Sequence, residues 1–377
     1  MDFGLSEEQR VLQDAAEKIA ASLAKVHIPD DTYPFEYLKT LARYDLTGID
    51  LPEADGGQGL QLIDAILVLE AVTKVSPRVG DAVQATNFGP IRQIAALGTL
   101  EVRQRFLPPL LKGDALASVA ISEPEAGSAV SEMKSTARIE GQDVIIDGSK
   151  VFNSNGPFVT HYVVWARFGE GSRGIGAIVV PADAPGFSRG RPEHYLSGEV
   201  HSTLHFDGCR VSTTNILATE GGLHNLMPIF NIERLGNAAR SLACGWKALD
   251  LAIEHLGQRR VGGRPLADYQ GLRWKVAEAR TKLEGARLLL YRAATETHAG
   301  MPDATLSAMA KLACNKAGYE AADEAAQLFG GYGMSTEYPL AYLLARTRAW
   351  MIAGGSLEVM RNRIADGLLG RPVGRSG

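Results

Sequence analysis

The spacing of apolar residues changes twice along the chain, and this limits the folds that the chain can adopt. Up to about residue 116, apolar side chains recur three and four positions apart, the period of an amphipathic helix. The following segments are short, rich in β-branched and aromatic residues, and separated by Gly, Asn and Asp. Helical spacing then returns. The order predicts an α+β chain with a helical domain at 1–116, an antiparallel β domain at 117–221 and a helical bundle at 222–377.

The helical predictions rest on a start signal and two long apolar stripes. Ser6, followed by Glu8 and Gln9, is typical of a helix N-terminus. Each stripe keeps a three-four spacing that is typical of a core seam in an antiparallel bundle. The stripes are Leu235, Ala239, Leu242, Trp246, Leu249, Ile253 and Leu256, and then Leu272, Val276, Ala279, Leu283, Ala286 and Leu290.

Composition excludes several classes of protein. The 377 residues carry a net charge of −4, so the basic surface expected of a nucleic-acid or membrane-surface protein is missing. Three separated cysteines indicate neither a disulfide framework nor a zinc site. The first residues resemble no signal peptide, and no apolar run is long enough for a membrane span. We therefore expect a cytoplasmic protein without a nucleic-acid or membrane partner.

The common catalytic motifs are missing. No Gly-x-Gly-x-x-Gly opens a helix after a strand, and there is neither a Walker A lysine nor a Gly-x-Ser-x-Gly elbow. His201 and His205 share one face of a predicted strand, but no third metal ligand accompanies them, so we expect no metal site. A bound cofactor is the natural source of chemistry for such a chain.

Five separated segments resemble those of the acyl-CoA dehydrogenase family, in the family's order. The segments are PEADGGQGL at 52–60, SEPEAGS at 122–128, DGSKVFNSNG at 147–156, RRVGGRPLADYQ at 259–270 and QLFGGYG at 327–333. The resemblance covers essentially the whole chain. It implies an N-terminal helical domain, a middle β-barrel-like domain and a C-terminal four-helix bundle. It also implies an FAD enzyme that acts on an acyl-CoA thioester and passes electrons to an electron-transfer flavoprotein.

The same resemblance implies site residues. Ser122 and Ser154 would contact the flavin, and Ser128 would bind coenzyme A. Arg259 and Gln270 would reach the FAD of a neighbouring subunit, which implies a homodimer or homotetramer. The remaining implied cofactor contacts are Gln327, Gly330, Gly331 and Ser356.

The catalytic base is predicted at Glu233. Most family members carry the base near the C-terminus, at a position that is Gly354 in this chain. The isovaleryl-CoA dehydrogenase branch carries it on a bundle helix in a Glu-Arg pair, which resembles Glu233-Arg234 here. Arg234 and Gly354 would then line the substrate site. The alternative for Glu233 is an acid near a helix start, favoured by the helix dipole.

Arg78 suggests a substrate class. SPRVGDAVQ at 76–84 resembles a region of glutaryl-CoA dehydrogenase in which an arginine binds the distal carboxylate. An arginine stays charged and offers a bidentate fork, so a dicarboxylate or a sulfinate would both fit. The alternative is a solvated arginine at a helix start.

Departures from the family pattern keep two further functions open. Ala129 replaces an aspartate, Gly262 a phenylalanine and Ser212 a proline. A non-oxidative relative, such as a sulfinyl-acyl-CoA desulfinase, is one alternative. A non-catalytic subunit of a heteromeric dehydrogenase is the other.

Overall fold

The computed structural model describes residues 4–28, 32–298 and 300–371, and it confirms the helical, β, helical order. The N-terminal helices are α1 (Glu7–Leu23), α2 (Phe35–Arg43), α3 (Leu62–Val75), α4 (Pro77–Asn87), α5 (Pro90–Leu97) and α6 (Leu100–Leu111). The C-terminal helices are α7 (Gly222–Gln258), α8 (Gln270–Thr295), α9 (Ala304–Phe329), α10 (Leu340–Trp350) and α11 (Leu357–Leu368). Among the described helices, none combines the length and apolar character needed to span a bilayer.

The first helix begins where its sequence signal predicts. The Ser6 hydroxyl accepts from the Gln9 amide at 3.2 Å, and the Ser6 amide donates to Gln9 Oε1 at 3.1 Å. This reciprocal pair satisfies two backbone donors that the helix start would otherwise leave unpaired. Behind it, α3 is buried on almost all sides, which fits its nearly continuous apolar sequence.

The middle part is a mixed sheet. Its strands are β1 (Ala117–Ala120), β2 (Thr136–Glu140), β3 (Asp143–Ser154), β4 (His161–Arg167), β5 (Ile175–Pro181), β6 (Phe187–Arg189), β7 (Glu193–His194), β8 (Val200–Ser212) and β9 (Ile216–Ala218). Within the described residues the main order is β6-β8-β3-β2-β4-β5-β9, with β1 beside β4 and β7 beside β8. The predicted antiparallel pairing holds for most neighbours, but β4 pairs in parallel with β1 and with one residue of β2.

The C-terminal bundle packs through small residues. A Cβ placed on Gly245 of α7 would come within 2.7 Å of the Gly318 Cα in α9. One on Gly318 would come within 2.3 Å of the Ser241 carbonyl oxygen. The two helix backbones therefore approach closely only because these positions lack side chains. The first predicted stripe lines this core, except that Ile253 is largely exposed.

Short hairpins complete the C-terminal part. Strands β10 (Arg260–Val261) and β11 (Arg264–Pro265) connect α7 to α8, and β12 (Thr297–His298) and β13 (Met301–Pro302) connect α8 to α9. The segment from 259 to 270 thus turns back at the distal end of α7, far along that helix from Glu233.

Candidate active site

Glu233 lies in the first third of α7, and the surroundings of its carboxylate are unusual for an acidic side chain. Its Oε2 atom is buried and has no hydrogen-bond partner within the described residues. Burial raises the pKa of Glu233 from 4.5 to about 7, although the cations of Arg240 and Arg234 oppose the shift. A carboxylate with a pKa near neutrality can both accept and release a proton under ordinary conditions.

Arg234 joins α7, the helix that carries Glu233, to the loop after α10. Its Nε donates to the Gly354 carbonyl at 3.2 Å, and its Nη1 donates to Asn231 Oδ1 at 2.7 Å. The buried guanidinium is therefore engaged with protein groups, and it holds Gly354 beside the helix that carries Glu233. Gly354 is thus held against α7 at the residue next to Glu233.

The backbone conformation at position 354, rather than a lack of space, favours a glycine there. Its φ is +71°, in the left-handed region that side chains disfavour. A Cβ there would meet Lys311 Cε at 3.5 Å and Asn237 Nδ2 at 3.8 Å, which are ordinary contacts. The glycine therefore leaves space at the end of the loop rather than filling a tight gap.

A buried polar layer supports this loop from α9. Lys311 Nζ donates to the Trp350 carbonyl at 3.1 Å, and Asn315 Nδ2 donates to the same oxygen and to Asn237 Oδ1. Burial lowers the pKa of Lys311 to about 7, and the nearby Arg234 cation contributes. The C-terminal end of α10 is thereby fixed before the loop reaches Gly354.

The environment of Glu233 predicts a pH-dependent stability. Since folding raises its pKa from 4.5 to about 7, the folded state favours the protonated carboxyl. The stabilisation is fully present below the unfolded pKa and is lost as pH rises through the folded one. Glu233→Gln, which stays neutral, should therefore gain about 3 kcal/mol over the parent chain between low pH and pH 8. Urea denaturation at pH 4.5, 6, 7 and 8 measures this. A difference that does not change with pH would contradict the buried, perturbed carboxyl.

The two predicted flavin-contacting serines lie on adjoining segments. The Val151 amide donates to the Ser122 carbonyl at 2.9 Å, which joins the end of the β1 segment to β3. A fully buried ion pair between Lys150 Nζ and Glu123 Oε1, at 2.7 Å, reinforces the junction. Ser154 is exposed at the end of β3. The backbone hydrogen bond and the ion pair therefore fix the segment that carries Ser122 against the strand that ends at Ser154.

Phe152 belongs to this region, but the sequence reasoning did not select it. Its side chain is 62% exposed, and its φ of +59° is rare for an aromatic residue. A strained, solvent-exposed aromatic ring between two ordered strand residues is a functional candidate. Its position inside the 147–156 segment was the signal that could have identified it.

A cavity of 820 Å³ gathers several of the predicted cofactor residues at the far end of the bundle. Arg259, Gln327, Gly330 and Gly331 all line it. Stacked rings of His255 and Phe329, with centroids 4.2 Å apart, form part of its wall. The ends of α7 and α9 bring these residues together.

The other predicted contacts lie apart from that cavity. Gln270 is exposed at the first turn of α8, and Ser128 is exposed in a loop of the middle part. The Ser356 hydroxyl caps α11 by accepting from the Val359 amide at 3.4 Å. That hydroxyl therefore has a structural role in helix capping.

Arg78 is exposed in the first turn of α4 and makes no ion pair or hydrogen bond with the described part of the chain. Burial raises the pKa of Tyr33 and of Tyr37, and the Arg78 cation opposes both shifts. The guanidinium thus lies near two tyrosines. Asp81, one turn later, binds Arg240 and Arg346 instead.

Three domain descriptions match successive parts of the chain: acyl-CoA dehydrogenase N-terminal domain at 6–114, middle domain at 118–209 and C-terminal domain at 220–369. The chain belongs to the acyl-CoA dehydrogenase family. An acyl-CoA dehydrogenase of Bacillus subtilis is 33% identical over 367 residues, covering 96% of this chain and 97% of that protein. As an acyl-CoA dehydrogenase family member, the chain is an oxidoreductase.

Two further similar proteins have names that specify their acyl-CoA. A 3-sulfinopropanoyl-CoA desulfinase of Paraburkholderia xenovorans is 32% identical over 383 residues, covering 98% of each chain. The structure of glutaryl-CoA dehydrogenase in complex with glutaryl-CoA superimposes with a TM-score of 0.93 and 28% identity, covering 100% of this chain and 99% of that one. Both names describe acyl groups that end in an anion.

Proposed function

We propose that this protein catalyses the FAD-dependent α,β-dehydrogenation of an acyl-CoA thioester, with Glu233 as the base. The observation that carries the proposal is the Glu233 carboxylate: its Oε2 atom is buried and has no hydrogen-bond partner among the described residues, and burial raises its pKa to about 7. The neighbouring Arg234 ties this part of α7 to the Gly354 loop. Glu233 would take the proton from the substrate α-carbon, and its raised pKa makes it a stronger base than a solvated carboxylate. The pair of electrons from that C–H bond would form the new double bond.

The residues of the middle part fit the flavin ring. Ser122 and Ser154 would donate hydrogen bonds to it, and the exposed Phe152 ring would pack against it. When bound, FAD supplies the acceptor for the hydride that leaves the substrate β-carbon. An electron-transfer flavoprotein is the proposed partner that reoxidises the enzyme.

Helix length indicates that a second subunit completes the cofactor site. Arg259, the first residue after α7, follows Glu233 by 26 positions, which separates the two by about 39 Å along the helix axis. This distance exceeds the length of an extended FAD molecule. A flavin beside Glu233 therefore cannot reach Arg259, Gln327 or the 330–331 glycines of its own chain. We propose at least a homodimer in which these residues hold the neighbour's FAD.

Mixed dimers test this arrangement. Glu233→Gln and Arg259→Glu should each inactivate a homodimer, but they damage different ends of α7. A dimer with one chain of each kind restores one intact site, so we expect about half of the parent activity. Differently tagged chains, co-expressed and purified through both tags, provide the sample. An inactive mixed dimer that still binds FAD would show that each site takes Glu233 and Arg259 from the same chain, which would contradict the shared arrangement.

The substrate is proposed to be a short acyl-CoA with an anionic end. Helices α4 and α7 run antiparallel, because Asp81 pairs with Arg240 while Gln84 and Phe88 pack on Gly236. Arg78 therefore lies about ten residues, or about 15 Å, beyond Glu233 along the shared axis. The reach of the two side chains leaves room for only a few methylene groups between the reacting carbon and the anion.

A desulfinase is the second candidate. It is supported by Arg78, which is exposed and forms no ion pair with the residues that the structure describes, and by the similarity to a 3-sulfinopropanoyl-CoA desulfinase. In that function Arg78 would bind the sulfinate, and Glu233 would not be needed as a base. Non-catalytic pairing with a different subunit is a weaker candidate, because it leaves the buried Glu233 without a role.

One experiment separates these functions. The purified protein is titrated anaerobically with glutaryl-, succinyl-, isovaleryl-, butyryl- and 3-sulfinopropanoyl-CoA while the visible spectrum and released sulfite are recorded. Bleaching of an oxidised flavin by a thioester, with an enoyl-CoA product, supports dehydrogenation. Sulfite release with an unchanged flavin supports the desulfinase. A chain that binds no flavin alone but does so with a partner subunit supports the heteromer.

A further inference from the structure

Asp81 lies at a junction of charged residues behind the proposed base. Its Oδ1 accepts from Arg240 Nη1 at 2.9 Å, and it also forms a short contact with Arg346. The two guanidinium groups flank the Trp350 ring, at 4.8 Å for Arg240 and 4.7 Å for Arg346. Helices α4, α7 and α10 therefore meet around one carboxylate and one indole.

Arg240 occupies the same face of α7 as Glu233. Seven residues separate them, which is close to two turns and about 10 Å of rise. Side chains on a helix lean toward its N-terminus, so Arg240 leans toward Glu233. Arg240 Nε and Glu233 Oε2 are both buried, and neither has a hydrogen-bond partner in the described residues. A donor and an acceptor are thus left unpaired on one helix face.

We propose that Asp81 is a positioning residue for the base, because it holds the Arg240 guanidinium against Trp350 and so prevents it from pairing with Glu233. Without Asp81, Arg240 could turn toward the base and hold it as an ion-paired carboxylate, which is a poor proton acceptor. The inference rests on the proposed function, in which Glu233 is the base. Its test, however, reads the ionisation of Glu233 directly.

Other charged groups near Glu233 are already engaged. Arg234 binds the Gly354 carbonyl and Asn231, and Lys311 binds the Trp350 carbonyl. Arg346 shares Asp81 and lies 3.7 Å from Glu199 Oε1, on the turn before β8. Arg78 lies on α4 beyond Asp81, farther from the base. In the part of the chain that the structure describes, Arg240 is thus the cation on the Glu233 face of α7 that is held by Asp81.

The test compares Asp81→Asn and Arg240→Met, each with and without Glu233→Gln. The difference in unfolding free energy between each Glu233 chain and its Glu233→Gln counterpart, measured by urea denaturation from pH 4.5 to 9, gives the titration midpoint of Glu233. We expect Asp81→Asn to lower that midpoint by about one pH unit, because the released Arg240 can then pair with Glu233. Arg240→Met, alone or combined with Asp81→Asn, should instead raise the midpoint slightly above the parent value, because no guanidinium is then left to pair with Glu233. The acid limb of the flavin-reduction rate should move in the same directions.

Asp250→Asn is the matched control, because Asp250 also lies on α7 and pairs with a lysine of α3, Lys74, at 2.8 Å. It should leave the midpoint unchanged. Midpoints that stay fixed in both test variants, or that move in one direction, overturn the proposal.

Asp81→Asn removes a partner from the buried Arg346, so it carries a risk of misfolding. Arg240→Met keeps the Asp81–Arg346 pair and suffices by itself: a midpoint that does not rise overturns the proposal. If Glu233→Gln retained flavin reduction, the assignment of the base would fail, while the midpoint shifts would still report whether Asp81 controls Arg240.

Discussion

Glu233→Gln is expected to lower the rate constant for flavin reduction by a saturating acyl-CoA by about 10²–10⁴-fold, the usual contribution of a positioned general base. The amide keeps the shape of the side chain but cannot accept the α-proton. Anaerobic stopped-flow absorbance, with the protein loaded with FAD, measures the rate constant. Flavin content and the visible spectrum of the oxidised protein should stay unchanged.

Two companion variants sharpen this result. Glu358→Gln removes an exposed acid of α11 and should leave the rate unchanged. Gly354→Glu, added to Glu233→Gln, places a carboxylate where most of the family carries its base. Its Cβ has space, but the positive φ strains it, so we expect partial recovery of the rate. A Glu233→Gln variant that reduces flavin at the parent rate would remove Glu233 from the chemistry.

Arg78→Met is expected to lower kcat/KM for an acyl-CoA with a distal anion by about 10²–10³-fold. Arg78 is exposed in the free chain, but the bound acyl group would cover its pair with the anion, and losing one partner of a covered charge pair costs about 2–5 kcal/mol. The loss should appear chiefly in KM, because the anion is held in both the ground state and the transition state. Steady-state kinetics with glutaryl-CoA and butyryl-CoA measure it. The butyryl-CoA value should change little, because that acyl group offers no anion.

Arg78→Lys should fall between the parent and Arg78→Met, because a lysine keeps the charge but loses the bidentate fork. Arg43→Met, at the exposed end of α2, is the matched control and should have no effect. Equal losses for both thioesters in Arg78→Met would indicate a structural arginine and return the substrate class to an uncharged acyl chain.

The three-part fold was predictable because each part has its own local signal. The Ser6 helix start and the stripe beginning at Leu235 report periodicity within a single helix, and the structure confirms both. The parallel pairing of β1 with β4 was not predictable, since strand partners more than 40 positions apart leave no trace in local spacing. Ile253 fits the helical period but is 44% exposed, although Leu249, Ala252 and Leu256 around it are buried.

The candidate site likewise combines residues that the sequence could mark with residues that only the structure reveals. Glu233, Gly354 and Arg78 could be predicted as site residues because they stand at positions that the family resemblance marks, and Arg234, next to Glu233, binds the Gly354 carbonyl. Asp81 and Arg240 were not found, because a pair from α4 and α7 depends on how two distant helices cross. A seven-residue spacing from Glu233 to Arg240 was visible in the sequence, but nothing there showed that Asp81 would bind the arginine.

The length of α7 has a consequence for how such enzymes diversify. Under the proposed arrangement, its first third serves one reaction centre and its last turn serves the next, so a harmful change at either end can be compensated by the other chain. After gene duplication, one copy could lose Glu233 while the other lost Arg259. A dimer with one chain of each kind would still retain one active site with both residues. Because one long helix contributes to two active sites, a homodimeric enzyme can become a heterodimer encoded by two genes through the loss of one site residue in each gene.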